Sequence, residues 1–272
     1  MRKRPLVLLV DDDLDTREMY AWSLEVRGYQ VLSAISAAQG FDLARSEHPD
    51  AVVTDYTLPG EDGFVLAERL RADETLGALP LLLVSGRAFV GTSGERATAL
   101  FDRILLKPVL PDQLMENVAA VTLDRAAARL QRQLNDVRAR LAVVPKTSDV
   151  SRILDAVTAT TADGEPPAAL LADNTAQYIA VNDAACQLTG RTREELLSLH
   201  VWDLTPIRAI DDGRKAWARF VETGVQSGAY VLTNPSGEEI EARFAASADI
   251  VPGCHLSLLQ SIPAVLLRDA RG

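Results

Sequence analysis

The sequence predicts an α/β domain with a doubly wound, five-stranded parallel sheet, then a coiled-coil helix, then an α+β domain. Three observations carry this. Short apolar runs alternate with helical stretches as far as Leu106, and an apolar seam spaced by fours and threes begins at Leu123. Charge is also partitioned. Residues 1–123 hold 12 basic and 19 acidic side chains, net −7; residues 124–146 hold 6 and 2, net +4; residues 147–272 hold 10 and 17, net −7. Two acidic blocks around a basic one mark two domains and a connector. At 272 residues the chain suits two ordinary domains, which we bound at 1–122 and 147–264, with 123–146 between them.

Leu6–Val10 (LVLLV) is continuously apolar, as a strand buried on both faces requires. A helix runs from Leu14 to Arg27, where Gly28 stops it. A strand at Gln30–Ala34 and a helix at Ala37–Ser46 follow, then Ala51–Thr54, apolar again. Phe64, Leu66, Ala67 and Leu70 give Asp62–Ala72 helical spacing, and Leu81–Val84 and Ile104–Leu106 complete five strands. The stretch Gly86–Ala99, with Gly91, Thr92, Ser93 and Gly94, signals only a short or mobile helix.

In a sheet of this kind, ligands bind beyond the carboxyl ends of the strands. Asp11, Asp12 and Asp13 end the first strand, Asp55 the third, Ser85 the fourth and Lys107 the fifth. Carboxylates in such a cluster suit Mg²⁺, a hard cation that keeps oxygen ligands. A carboxylate can also serve as the nucleophile that accepts a phosphoryl group. On this reading Asp11 and Asp12 hold Mg²⁺, Asp55 is both metal ligand and phosphoacceptor, Lys107 is a point charge, and the Ser85 hydroxyl donates to phosphoryl oxygens. Asp13 is assigned instead to the cap of the helix that follows.

The segments VLLVDDDLDTRE, VVTDYTLPGEDGF, LLLVSGR and LLKPV, in this order, resemble the signature segments of receiver domains of two-component response regulators, over residues 4–122. The resemblance implies a flavodoxin-like fold and a histidine kinase as phosphoryl donor. It makes Asp12 the closer metal ligand, adds the backbone carbonyl of Thr57 to the metal set, and makes the Lys107–Pro108 bond cis. There are departures. The aromatic residue that helps such domains report phosphorylation is replaced by Ile104, and the usual small Gly-Ala pair by Leu100 and Phe101. These leave the transfer chemistry intact and change how it is read.

Leu114, Val118 and Val121 give way to a second stripe, Leu123, Ala127, Leu130, Leu134, Val137, Leu141 and Val144. Its spacing is that of a coiled-coil seam, which predicts a homodimer, parallel because that places like domains together at each end. The alternative is docking of the stripe onto the chain's own domains. Arg125, Arg129, Arg132, Arg138 and Arg140 lie off the seam and read as a solvated face.

Beyond Pro145 an amphipathic helix (Val150, Ile153, Leu154, Val157) precedes short strands at Ala168–Ala172 and Tyr178–Val181. Helical pieces follow at Asp183–Leu188, Arg193–Leu197 and Asp211–Thr223, then strands at Tyr230–Thr233, Glu238–Ala246 and Cys254–Ser261. The segments YIAVNDAACQLTGRTREELLSLHVWDL and NPSGEEIEARFAAS resemble a PAS sensory domain. Such domains bind haem, flavin, metabolites or nothing. The flavin-photosensor Asn-Cys-Arg motif is absent, Cys186 reads as core, and Gly213 matches the position of the haem-ligating histidine, so neither cofactor is expected. His200 and His255 read as ordinary polar residues. Tyr178, Trp202 and Trp217 are candidates to line a pocket, with core packing the alternative.

Cys186 and Cys254 have no metal-ligand spacing. Behind Arg2, Lys3 and Arg4 the apolar run is too short for a signal peptide or a membrane span, so a cytoplasmic protein is expected. The net charge of −10 argues against a nucleic-acid partner. The expected function is phosphoryl-controlled protein–protein interaction, with no separate output enzyme. The alternatives are a PAS ligand sensor whose receiver serves as a dimerisation scaffold, and a phosphoryl sink.

Overall fold

The computed structural model describes residues 4–142, 150–159 and 166–262. Val144 of the stripe, Pro145, and the outermost residues of the expected second domain lie outside them. The chain divides into two compact units, one running through Arg125 and the other Ala126–Ile262.

In the first unit, strands β1 (Leu6–Val10), β2 (Gln30–Ala34), β3 (Ala51–Asp55), β4 (Leu81–Ser85) and β5 (Arg103–Leu106) form one sheet in the order β2-β1-β3-β4-β5. Every pairing is parallel. The strands β1, β3 and β4 are buried at every position, which is why their sequences are apolar up to the polar residues Thr54, Asp55 and Ser85 at the carboxyl ends of β3 and β4, whereas the edges β2 and β5 are partly exposed. The helices are α1 (Leu14–Val26), α2 (Ala37–Glu47), α3 (Gly63–Ala72), α4 (Gly91–Leu100) and the first part of α5 (Pro111–Ala142), whose residues from Ala126 onward belong to the second unit. Asp13, Ser36 and Asp62 cap the first three by accepting backbone N–H groups. Leu8, Val10, Val52, Leu66, Leu70, Leu81 and Leu83 belong to the largely buried core cluster; each such aliphatic side chain contributes about 1.5–3 kcal/mol.

The fourth helix corrects the sequence reading. It spans ten residues, although its N-cap, Val90, makes no side-chain cap hydrogen bond. Tertiary contacts override the weak local signal: Ala97 is fully buried, Arg96 pairs with Glu68 and lies over the Phe64 ring, and Phe101 packs edge-on against Phe64.

In the second unit, β6 (Ala168–Asp173), β7 (Tyr178–Val181), β8 (Val225–Thr233), β9 (Glu239–Val251) and β10 (Cys254–Ser261) form an antiparallel sheet ordered β7-β6-β10-β9-β8. Helices α6 (Val150–Ala159), α7 (Asp183–Thr189), α8 (Arg193–Leu197) and α9 (Ile210–Thr223) accompany it, with 3₁₀ turns at Val201–Leu204 and Ile207–Ala209. The strand alternation serves two cores. Ala169, Leu171, Ala245, Leu256 and Leu258 join one cluster; Ala168, Leu170, Leu232, Ala242 and Leu259 join the other.

The first of these clusters overturns the coiled-coil expectation. Leu130, Leu134 and Val137 of α5 are completely buried within it, together with Ile153 and Val157 of α6, and Leu141 packs against it. The stripe is consumed by the second unit's own sheet, the alternative left open by the sequence. An apolar stripe satisfies either partner equally well, and only the presence of a matching apolar sheet face decides. Arg132, Arg138 and Arg140 are exposed, as expected for the opposite side of the helix.

Candidate functional site

The carboxyl edge of the parallel sheet gathers the expected residues. Asp55, the last residue of β3, is 8% exposed and Asp11, just past β1, is 7%, while Asp12 is exposed. Carboxylate oxygens of Asp11, Asp12 and Asp55 lie within 4.8 Å of one another. Lys107 reaches in from the end of β5, its Nζ 2.8 Å from Asp55 Oδ1 and 3.9 Å from Asp11 Oδ2. The Lys107–Pro108 bond is cis.

The carboxylates are also held from behind. The Asp13 N–H donates to Asp11 Oδ1 at 2.9 Å, and the Thr57 N–H to Asp55 Oδ2 at 3.2 Å. Arg17 donates to the Asp11 carbonyl at 2.7 Å, and the Tyr20 hydroxyl to the Val109 carbonyl at 2.9 Å, tying α1 to the loop after Lys107. Asp13 caps α1, accepting from the Thr16 N–H at 2.8 Å, and so stands apart from the acidic trio.

Burial raises the Asp11 pKa, the Asp55 and Asp12 charges add to it, and the Asp13 N–H and Lys107 oppose it. For Lys107, burial acts downward, but the hydrogen bond and charge of Asp55, with Asp11, outweigh it and the pKa is raised. The ammonium therefore stays charged at neutral pH, opposite carboxylates crowded closely enough to favour a divalent cation.

Three contributors escaped the sequence reading. The first is Gly63: a Cβ there would stand 2.4 Å from the Asp55 carbonyl oxygen, so α3 can begin against the back of Asp55 only if this residue is glycine. The others are Tyr56 and Arg87. The Arg87 guanidinium donates to the Tyr56 hydroxyl and lies 4.2 Å from the centre of its ring. Gly63 was visible as the Asp-Gly before an apolar helix; nothing local marks the other two.

Ser85 is fully buried at the end of β4, where the Asp55 pairing partner is the preceding Val84. Ile104 is 37% exposed on β5.

Of the three candidate pocket residues in the second unit, Tyr178 belongs to one of its buried clusters and Trp217 packs against that same cluster. Tyr178 is buried, and burial, followed by Tyr230 and Asp203, pushes its hydroxyl well above the usual tyrosine value. Trp217 packs edge-on against His255, at 5.2 Å between ring centres. Trp202 instead stacks on His200 at 5.2 Å, with Arg214 over its ring at 5.3 Å. His255 is 1% exposed with both ring nitrogens engaged: Nδ1 accepts from the Asp249 N–H at 3.2 Å, and Nε2 lies 2.9 Å from Asn174 Oδ1. Cys254 is buried, and burial raises its thiol to about 11, with Asp173 and Asp249 adding to this.

A parallel sheet in this order, with a carboxylate trio and a lysine at its carboxyl edge, is a flavodoxin-like α/β domain with an acidic site. Residues 7–119 match the family model of the response regulator receiver domain, and residues 166–248 match that of a PAS domain. Protein PilH of Pseudomonas aeruginosa is 32% identical over 123 residues, covering 42% of this chain and 95% of PilH. The phosphate regulon transcriptional regulatory protein PhoB of the same organism is 31% identical over 115 residues, 42% of this chain and 50% of PhoB. A high-resolution structure of the chemotaxis response regulator CheY4 of Vibrio cholerae aligns with 24% identity and a TM-score of 0.41, over 43% of this chain and 98% of CheY4. The chain belongs to the response regulators, with a receiver domain followed by a PAS domain. It spans about half the length of PhoB.

Receiver domains generally bind Mg²⁺ at an acidic cluster, and the all-carboxylate donor set of Asp11, Asp12 and Asp55 fits that ion. Among the described residues, no helix is long and apolar enough to cross a membrane.

Proposed function

We propose that this response regulator accepts a phosphoryl group on Asp55 from the phosphohistidine of a histidine kinase and signals onward by protein–protein contact. The observation that carries the proposal is the 2.8 Å approach of Lys107 Nζ to Asp55 Oδ1 beside the acidic trio. In the transfer, an Asp55 carboxylate oxygen forms a bond to phosphorus as the phosphorus–nitrogen bond of the donor breaks, and the imidazole departs with its electron pair and takes up a proton. Lys107 is placed to follow negative charge from the carboxylate to the transferring group, without moving a proton itself. Burial of Asp11 and Asp55 limits competing water. A divalent ion held by Asp11, Asp12, Asp55 and the Thr57 carbonyl would supply charge neutralisation at the phosphoryl oxygens.

The reading places the protein in the cytoplasm, gives it no nucleic-acid or membrane partner, and gives it no enzyme activity beyond its own phosphoryl transfer. The second unit carries neither haem nor flavin on this reading; both His255 nitrogens are engaged, which leaves that side chain no free nitrogen for a haem iron. Any homodimer must use a surface other than Leu130, Leu134 and Val137, which are spent on the unit's own core.

Phosphotransfer profiling tests the donor. Radiolabelled histidine kinases from the source organism are mixed one at a time with the full chain. At least one should pass its label rapidly to the wild type and not to Asp55→Asn. If acetyl phosphate labels Asp55 but no kinase of the full set does, the kinase assignment is wrong.

A further inference from the structure

The two edges of the second unit's sheet differ. Strand β7 is short, its pairing with β6 shifts register, and the Tyr178 N–H at its start is taken by the Leu199 carbonyl at 3.0 Å. Strand β8 has none of this protection. It runs nine residues, VQSGAYVLT, paired with β9 at every position in one unbroken register. It holds no charged residue, no proline and no bulge, the devices by which an edge strand refuses a neighbour.

The bonds at its two ends fix where its backbone groups point. The Ala248 N–H donates to the Gly224 carbonyl at 2.8 Å, and the Asn234 N–H to the Glu238 carbonyl at 3.0 Å. Antiparallel partners alternate between bonded and unbonded pairs, so the even-numbered residues between these ends bond to β9. Val225, Ser227, Ala229, Val231 and Thr233 therefore turn their N–H and C=O groups away from the sheet. Among the described residues, only the Val225 carbonyl meets a partner there, the Thr223 hydroxyl at 3.3 Å. The side chains of Val225, Ser227 and Ala229 are exposed.

We infer that a second copy of this chain adds its own β8 to this edge, antiparallel, across a two-fold axis at Ala229, joining the two five-stranded sheets into one. This register brings all five outward-facing residues of each copy into bonded pairs. Val225 then stands opposite Thr233, Ser227 opposite Val231, and Ala229 opposite itself, small or β-branched pairs that suit a sheet. On the other face Gly228 stands opposite Tyr230, a glycine beside an aromatic ring. Charge favours a second copy, because none of the nine cross-strand pairs sets like charges together. The charged residues of the next strand, Glu239, Glu241 and Arg243, lie three strand spacings from their two-fold mates, about 14 Å or more, beyond the screening length. The inference is independent of Asp55, and it supplies a homodimer surface that leaves Leu130, Leu134 and Val137 in their own core. One strand pairing is a small interface, so the dimer is concentration-dependent.

The test uses the full chain in sedimentation and residue-resolved amide exchange over a range of concentrations. The wild type should associate as concentration rises. Exchange at Ser227, Ala229 and Val231 should then slow by at least about tenfold, while Gln226, Gly228 and Tyr230 stay protected throughout. Ala229→Pro removes one outward N–H and no bond to β9, and Ala229→Lys opposes two ammonium groups at the axis. Each should weaken association at least about tenfold without loosening the protected amides; if the proline variant does not fold, the lysine variant carries the test. Under oxidation Ala229→Cys should give a disulfide-linked dimer, since bonded antiparallel partners stand about 5.5 Å apart between Cα atoms. Ser227→Cys, opposite Val231, should not. A wild type that stays monomeric with fast exchange at all three outward amides would overturn the inference, as would Ala229→Lys associating as tightly as wild type. So would cross-linking of Ala229→Cys in cells to a different protein and never to itself, which would assign the edge to a foreign strand.

Discussion

Lys107 Nζ sits 2.8 Å from Asp55 Oδ1, close enough for a charge-assisted hydrogen bond between the ends of β5 and β3. The two residues are 52 positions apart in the sequence and are joined only through the parallel register of β3, β4 and β5. This contact ties the fold to the chemistry, and its removal should separate the two. Lys107→Ala should fold and still bind a divalent cation at the acidic trio, but label with acetyl phosphate about a hundredfold more slowly. Labelling kinetics beside cation titration check this; an unchanged rate would remove Lys107 from the site.

Gly63 should be the most sensitive glycine of the first unit. Gly63→Ala places a methyl group where the Asp55 carbonyl oxygen now stands, 2.4 Å from the Cβ, and backbone on both sides leaves little room to yield. We expect a loss of about 1–3 kcal/mol and slower labelling of Asp55. A melting curve and labelling rate both equal to wild type would show that α3 is not pinned there.

The double substitution Leu134→Glu with Val137→Glu tests where the α5 stripe is buried. Both residues are fully buried in the second unit, so the double variant puts two unpaired carboxylates into an apolar core. It should unfold the second unit at ordinary temperature, at a cost of at least about 3 kcal/mol, while Asp55 still labels. A well-folded double variant that merely changed from dimer to monomer would restore the coiled coil.

Where the sequence spoke through buried periodicity, it was legible. The runs Leu6–Val10, Leu81–Ser85 and Cys254–Ser261 emerge as strands because every residue or every second residue must be apolar. The strand β8 begins at Val225, five residues before the expected start, because Val225, Ser227 and Ala229 are exposed and carry no apolar alternation. The acidic trio and Lys107 could be placed because strand ends converge in a parallel sheet. The contact between Arg87 and Tyr56 could not, since it depends on side-chain directions across 31 residues that no local pattern encodes. The same limit hid the fate of Leu130, Leu134 and Val137.

His255 should make the second unit acid-sensitive. Burial lowers its pKa below the ordinary 6.5, with Asp249 and Asp173 opposing, so the unfolded chain binds the proton more readily than the folded one. The stability associated with neutral His255 is complete above about pH 6.5 and is lost as the pH falls below it. Melting of the second unit should therefore decline between pH 7.5 and pH 5.5 (about the range that brackets the histidine titration), and the decline should flatten in His255→Gln. The same slope in that variant would assign the acid sensitivity elsewhere.

The central claim is that Asp55 is the phosphoacceptor, and peptide mapping by mass spectrometry after treatment of the full chain with acetyl phosphate tests it most directly. We expect one Mg²⁺-dependent, hydroxylamine-sensitive phosphoryl group on the peptide containing Asp55, absent from Asp55→Asn and nearly absent from Asp12→Ala. Equal labelling of wild type and Asp55→Asn, or a label mapped to any other residue, would contradict the account.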